Sequence, residues 1–218
     1  MTEEPSPVAV FDRIASHFSR TRAYPWPAVE TFLEDRAAEV GLDIGCGNGR
    51  HTAVLAGVTE RTIGLDASRE LLREAVNRAA GTGSGQREEA QFVGNLVQGD
   101  AVTLPIPGRT IDLALYIATI HHLRSREKRV RSLDELERIL TEGGGALISA
   151  WSTEHERFDR DQGFDTTVDW TLPDGETLPR FYHVYDPDEF ERDIRESSLT
   201  LREAWVEAGN CYAVVGPA

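Results

Sequence analysis

Asp43-Ile44-Gly45-Cys46-Gly47-Asn48-Gly49 decides how this chain is read. Before it, Val40 to Ile44 reads as a short strand; after it, His51 to Ala56 reads as a helix. A strand, a glycine-rich turn and a helix in that order open a parallel α/β sheet. Such a sheet holds its ligand at the carboxyl ends of the strands, near the point where strand order reverses. A dinucleotide-binding turn needs a third glycine for close packing around a pyrophosphate, and Arg50 stands there instead.

Working outward, Phe11, Ile14, Ala15 and Phe18 have helical spacing. A second helix follows Pro27, with Val29, Phe32, Leu33, Ala37 and Val40 on one face. Downstream, Thr62 to Asp66 reads as a strand and Ser68 to Ala80 as a helix with Leu71, Leu72, Ala75, Val76 and Ala79 inward. After a stretch containing Gly81, Gly83, Ser84 and Gly85, a third strand is expected between Phe92 and Gly99, and a fourth at Ile111 to Tyr116. A helix from about Ser125 to Leu140 places Val130, Leu133, Leu136 and Leu140 on one side. Gly143, Gly144 and Gly145 are expected to end it with left-handed backbone. Ala146 to Trp151 is the fifth strand. Ser152 to Pro179 is polar and without periodicity, which reads as an insertion over the carboxyl edge of the sheet. Leu199 to Val206 and Cys211 to Val215, separated by Glu207-Ala208-Gly209-Asn210, read as a hairpin. The expectation is an α/β, Rossmann-like fold: a seven-stranded, mostly parallel sheet with one antiparallel edge strand.

Composition narrows the class further. The 218 residues carry 37 acidic and 23 basic side chains, a net charge of −14, and 40% are apolar, enough for a core at this length. Cys46 and Cys211 are far apart and outside any C-x-x-C pattern, so neither a disulfide framework nor a zinc site built from this chain alone is expected. No apolar run approaches the ~20 residues that span a bilayer. The first residues, Met1 to Pro7, are acidic and proline-bearing, unlike a secretion signal. The expectation is a cytoplasmic protein with no membrane partner. Lys128 is the only lysine, so nearly all positive charge is arginine. That balance fits a halophile's proteome, where acidic surfaces stay hydrated, or a GC-rich genome.

Asp43 stands two residues before the first glycine, Asp66 ends the next strand, and Asp100 lies in Gly99-Asp100-Ala101 after the third. Three acids at three strand ends suit a ligand with a cationic ammonium, a ribose diol and an adenine amine. The pattern resembles the S-adenosylmethionine fingerprint of class I methyltransferases. That resemblance implies that Asp43 helps to hold the ammonium, that Asp66 accepts from both ribose hydroxyls, and that Asp100 and Ala101 sit beside the adenine. Gly45, Cys46, Gly47, Asn48, Gly49 and Ile117 would complete the cofactor site.

Three further blocks flank this core. They are His17-Phe18-Ser19-Arg20-Thr21-Arg22-Ala23-Tyr24-Pro25-Trp26-Pro27, Ile117-Ala118-Thr119-Ile120-His121-His122-Leu123, and Arg180-Phe181-Tyr182-His183-Val184-Tyr185. In this order they resemble the tRNA wobble-uridine carboxymethyl methyltransferases of eukaryotes, over nearly the whole chain. One methyltransferase domain, 1–218, is implied: N-terminal helices and an acceptor-site elbow (1–39), a cofactor-binding core (40–151), an insertion (152–180) and C-terminal strands (181–218). The family's insertion after the fifth strand is longer than the Ser152 to Pro179 segment here. The implied reaction is methyl esterification of 5-carboxymethyluridine, or its 2-thio form. A class I methyltransferase acting on a small-molecule carboxylate is the alternative.

An ionised carboxylate needs no general base, only positioning and desolvation. Arg22 is the natural clamp, with His122 orienting the acceptor, and His17 and Trp26 shaping the uridine pocket. Trp26 serves equally as a packing anchor. Tyr182, His183 and Tyr185, on a strand-like stretch beyond Arg180, divide between core and substrate. Arg124, Arg126, Lys128, Arg129 and Arg131 form a cluster that either grips anticodon-stem phosphates or pairs with Glu127, Asp134 and Glu135 along a helix. His121 and His122 lack a third ligand, so no metal is expected. The resemblance also implies a tRNA anticodon loop as partner, and a small zinc-binding activator subunit. The activator would dock on the third-strand edge, where Phe92, Val93, Leu96 and Val97 leave apolar surface.

Overall fold

The computed structural model describes residues 6–81 and 95–218. Seven strands form one sheet in the order β3-β2-β1-β4-β5-β9-β8. They are β1 (Ala38–Ile44), β2 (Thr59–Asp66), β3 (Asn95–Gln98), β4 (Ile111–Ile117), β5 (Leu140–Trp151), β8 (Leu199–Glu207) and β9 (Asn210–Pro217). The first five are parallel. β9 runs against β5, and β8 closes that edge by pairing antiparallel with β9. Side chains alternate between faces with the two-residue strand period. Leu42, Ile44, Ala114, Tyr116, Ala146 and Ile148 pack toward α5 (Arg126–Ile139) and α6 (Pro187–Glu196). Leu113, Leu115, Ile117, Leu147 and Tyr212 pack toward α2 (Pro27–Leu33) and α3 (Arg50–Ala56). β1 has β2 on one side and β4 on the other, which places the order reversal, and the cleft, at its carboxyl end.

Serine and aspartate side chains start the helices that frame this cleft. Ser6 caps α1 (Pro7–Thr21), Ser68 caps α4 (Arg69–Ala79), Ser125 caps α5 and Asp186 caps α6. Asp12 of α1 reaches across to α4, accepting from Ser68 Oγ at 2.6 Å and from the Glu70 amide at 3.1 Å. The amino-terminal helix is thereby fastened over the β2–α4 turn.

Several expectations are corrected. The second helix stops at Leu33, because Asp35 takes a left-handed φ of 58°, so Ala37 is outside it and Val40 belongs to β1. Val76 is 54% exposed: Leu71 and Ala75 already fill the narrow inward stripe of α4. Gly143 to Gly145 do not cap α5. The chain turns directly into β5 at Leu140, and these glycines sit inside the strand beside a register shift against β4. A Cβ on Gly144 would stand 3.0 Å from the carbonyl oxygens of Ile111 and Thr141, so this irregularity needs a glycine.

The segment read as an aperiodic insertion contains β6 (Phe164–Thr171), paired antiparallel with β7 (Thr177–Val184) as a separate two-stranded sheet. Its signals were present: alternating Val168 and Trp170, and Pro173-Asp174-Gly175 with Gly175 at φ 89°. The helix α6 follows β7, its start marked by Asp186-Pro187. Phe92, Val93 and the Gly83 to Gly85 stretch lie outside the described residues.

Candidate active site

A cleft of about 740 Å³ opens at the carboxyl ends of β1, β2 and β4, within the ~300–1,000 Å³ usual for small-molecule sites. Its floor is the turn after β1. Gly45, Gly47 and Gly49 have φ of 71°, 55° and 77°, backbone that side chains with a Cβ rarely adopt. Gly45 is the tightest: a Cβ there would lie 2.1 Å from Thr119 Oγ1. Gly45, Cys46, Gly47, Asn48, Asp66, Asp100, Ala101 and Ile117 all line the cleft. Gly49 lies just behind, starting α3. Asp43 also lies behind the floor, buried, and accepts from Thr52 Oγ1 at 2.6 Å.

Asp66 is built to receive a ligand. Its Oδ2 accepts the Gly47 amide at 2.8 Å and its Oδ1 the Ser68 amide at 2.8 Å, leaving one acceptor position on each oxygen. Burial raises its pKa to about 6, against the pull of those two amides. Burial also raises Asp43 to about 7, Thr52 opposing. An unpaired buried carboxylate of this kind favours a cationic ligand nearby. Asp100 Oδ1 accepts the Val102 amide at 2.9 Å, so this residue shapes its own turn while lining the cleft. The donor set suits S-adenosylmethionine: a glycine cradle, a carboxylate positioned for a diol, and buried negative charge.

The elbow between α1 and α2 is bolted to this turn. Asn48 Nδ2 donates to the Arg22 carbonyl at 2.9 Å, and Arg78 donates to the carbonyls of Asn48 at 3.0 Å and Ala23 at 3.1 Å. Arg22 and Trp26, at the two ends of the elbow, line the cleft. The Trp26 ring packs edge-on against His51 and Tyr212 while its amide donates to His51 Nε2, so it is anchored as well as exposed to the cavity. Arg22 and Arg180 come together on one ring: their guanidinium carbons lie 5.4 and 4.7 Å from the Trp170 centroid. Arg180 also stacks on Tyr182 at 5.1 Å, and its Nε is buried without a hydrogen-bond partner. Burial lowers its pKa, and Arg22 and Arg157 nearby add to that. Two like charges sharing one platform, one with an unsatisfied donor, form a receptor for an anion.

His17 does not line the cleft among the described residues. It backs Trp170 instead, its Nδ1 accepting the indole Nε1–H at 3.1 Å. His121 and His122 do line it, their rings 4.5 Å apart. His122 Nδ1 donates to the Phe181 carbonyl at 2.9 Å, which leaves Nε2 as an acceptor. His121 Nδ1 accepts the Trp151 amide at 2.9 Å, which puts its proton on Nε2. Both rings are neutral, since burial lowers His122 to about 4 and His121 well below its ordinary value.

Four residues expected at the substrate are drawn elsewhere. Arg129 is buried within salt-bridge reach of Glu189 (3.7 Å) and Asp193 (3.9 Å), under Tyr185. Arg126 Nε donates to Asp193 at 2.8 Å, and its Nη2 pairs with Glu196. His183 bridges Asp165 at 2.7 Å and Glu189 at 3.0 Å. Tyr185 is buried, its hydroxyl donating to Asp193. These side chains knit α5, α6 and β7 together; charged groups buried here need partners, and the partners hold them away from the cavity. Lys128, Arg180 and Tyr182 do line it.

Sequence reading missed Arg50, Arg157 and Trp170, and a strained backbone at Ala118. That residue has φ 51° and donates its amide to Ser149 just past β4, beside the glycine turn. Only the alternation in β6 pointed toward Trp170.

A methyltransferase domain family matches residues 42–148. The tRNA (carboxymethyluridine(34)-5-O)-methyltransferase of Schizosaccharomyces pombe is 30% identical, with 94% of this chain and 93% of that protein covered. The Saccharomyces cerevisiae protein of the same name is 34% identical over 78% of this chain, which spans 58% of its length. Among solved structures, a DhpI complex with SAM superposes with a TM-score of 0.69 at 20% identity, covering 96% of this chain and 95% of that one. The methyltransferase in a complex with the Haloferax volcanii Trm112 activator superposes at 0.67 with 15% identity, covering 97% of each. With a glycine turn, an acid at the second strand end and a relative matched almost end to end, the chain belongs to the tRNA (carboxymethyluridine(34)-5-O)-methyltransferase family.

Proposed function

We propose that this enzyme methylates the carboxylate of 5-carboxymethyluridine, or its 2-thio form, at the wobble position of tRNA, giving the methyl ester. The observation that carries this reading is the pair Arg22 and Arg180, both lining the cleft and both within reach of the one Trp170 ring, which adds a cationic group to a cleft whose carboxylates are Asp66 and Asp100. When bound, S-adenosylmethionine supplies an electrophilic methyl group that a carboxylate oxygen takes directly, leaving S-adenosylhomocysteine.

The protein's task is then orientation. Asp66 holds the ribose hydroxyls, Asp100 and Ala101 border the adenine, and the buried charge of Asp43 favours the ammonium through Thr52 and the turn. Arg22 and Arg180 grip the acceptor anion, leaving one oxygen lone pair for the transfer. No proton has to be removed, which agrees with two neutral imidazoles at the cleft. His122 offers its Nε2 lone pair for the polar edge of the uracil ring, while His121, whose ring N–H is turned to the Ala118 backbone, backs it. Trp26 and Tyr182 enclose that ring and exclude water.

A small zinc-binding activator subunit docks on the outer edge of β3. That strand ends the sheet on its side, with half-buried Leu96 and Val97, and the fold is shared with a methyltransferase solved in complex with Trm112. We place the reaction in the cytoplasm, as one domain spanning the chain; no helix among the described residues is long and apolar enough to cross a membrane. Incubation with methyl-labelled cofactor and total tRNA, with and without the activator, followed by nucleoside mass spectrometry, tests the reading. Labelled 5-methoxycarbonylmethyluridine is expected. Label on another nucleoside, or only on a small-molecule carboxylate, would overturn it.

A further inference from the structure

Charge is distributed in a way the reaction alone does not require. The chain is strongly acidic, yet among the described residues six cations, Arg22, Arg50, Arg124, Lys128, Arg157 and Arg180, line the cleft against two carboxylates, Asp66 and Asp100. Away from the cleft, several arginines are held by carboxylates, as at Arg61 with Glu39 (2.8 Å), Arg73 with Glu70 (2.6 Å), Arg126 with Asp193 (2.8 Å) and Arg138 with Glu135 (2.8 Å), while others, such as Arg20 and Arg202, bond to a hydroxyl or a backbone carbonyl. Among the described residues no carboxylate lies within 4.0 Å of Arg22, Arg50, Lys128, Arg157 or Arg180. One carboxylate group needs two clamps, not five cations whose charge no carboxylate among the described residues balances.

Beside this rim stands a largely exposed aromatic ring, for which no ring or cation contact is seen among the described residues. Tyr24 is 67% exposed, the most exposed large hydrophobic side chain among the described residues. Its backbone is not loose. Arg50 Nη1 reaches the Tyr24 carbonyl at 3.5 Å, the neighbouring Ala23 carbonyl accepts from Arg78, and the Arg22 carbonyl accepts from Asn48. A ring held out in water by a braced backbone, two residues from both Arg22 and Trp26, meets the two needs of a single-stranded nucleic acid: cations along the phosphates and a flat face for a base.

We propose that the cleft rim is a single-stranded RNA track, in which Tyr24 stacks on a nucleobase next to the modified one, while Arg50, Lys128 and Arg157 hold the flanking phosphates. The inference rests on the tRNA reading above and deepens it. It also moves RNA contact from the whole α5 cluster to the rim, because Arg126 and Arg129 are already held by carboxylates.

The test measures binding of an anticodon stem-loop RNA to the intact enzyme across a salt series, beside S-adenosylhomocysteine binding and esterification kinetics. Tyr24→Ala should weaken RNA binding roughly 5- to 150-fold, the range of one base–aromatic stack, raise KM and leave cofactor binding unchanged. Tyr24→Phe should behave as wild type. Lys128→Ala with Arg157→Ala should flatten the logarithmic salt slope by about 0.7 per lost phosphate contact, while Arg61→Ala, in a pair remote from the cleft, leaves it unaltered. RNA affinity unchanged in Tyr24→Ala, or a salt slope unchanged in the double variant, refutes the track. Wild-type protein that binds RNA with this dependence but forms no ester supports the track and removes the carboxylate reading, so the two fail separately.

Discussion

If Arg22 and Arg180 grip one anion, their removal cannot act independently. Arg22→Ala and Arg180→Ala, alone and together, put this in numbers. A hydrogen bond to a charged group contributes about 1.5–3 kcal/mol, so each single variant should lose roughly 10- to 150-fold in kcat/KM. Arg22 is solvent-exposed, which places it near the lower figure. Arg180 is half-buried, with an unpartnered Nε and two aromatic rings against its guanidinium, which places it near the upper one. In the double variant the second removal should cost less than it did alone, because a carboxylate released by one arm is already misplaced for the other. A coupling of at least 0.5 kcal/mol, about twofold, is the expectation for groups sharing a partner. Initial rates of ester formation over a range of tRNA concentrations give the cycle. S-adenosylhomocysteine titration and thermal melts separate the loss from cofactor binding and from folding. Arg180→Lys should fall between, since an ammonium keeps the charge but not the planar fork. Single variants within twofold of wild type, or a double loss equal to the product of the two singles, would refute a shared anion.

Trp170→Leu removes the platform under both arginines and leaves His17 Nδ1 without its 3.1 Å donor; kcat/KM should fall roughly 5- to 800-fold, two cation–π contacts at about 0.5–2 kcal/mol each. S-adenosylhomocysteine affinity should not change and Trp170→Phe should recover much of the loss, so equal damage by Phe and Leu would show that the ring face is irrelevant. Cofactor affinity should also depend on pH through Asp66, whose pKa burial raises to about 6. The ionised form is the one that accepts both ribose hydroxyls, and Asp43, raised to about 7, loses its charge first, so affinity should be level only above about pH 8 and weaken by tenfold per unit or more as pH falls below about 6. Isothermal titration across pH 5 to 8 reads this, and a flat profile removes Asp66 from the site.

Much of the cofactor half was legible in the sequence because it is local. A turn that must take positive φ at Gly45, Gly47 and Gly49 needs glycine whatever surrounds it, and an acid at the end of a strand stays at the sheet's carboxyl edge wherever the strand lies. Apolar period and turn residues likewise placed β1, β2, β4, β5 and the final hairpin. The acceptor half depended on long-range partners. Whether Arg129 faced RNA or a buried carboxylate was decided by Asp193 and Glu189, some sixty residues away on α6; whether His17 touched substrate was decided by Trp170, 153 residues away on β6. A charged or aromatic side chain carries no mark of its partner in its own neighbourhood of sequence. Only folding brings the competing carboxylates, carbonyls and rings within reach, and the energy of satisfying a buried charge then settles which arginines are locked in the frame and which remain at the cleft.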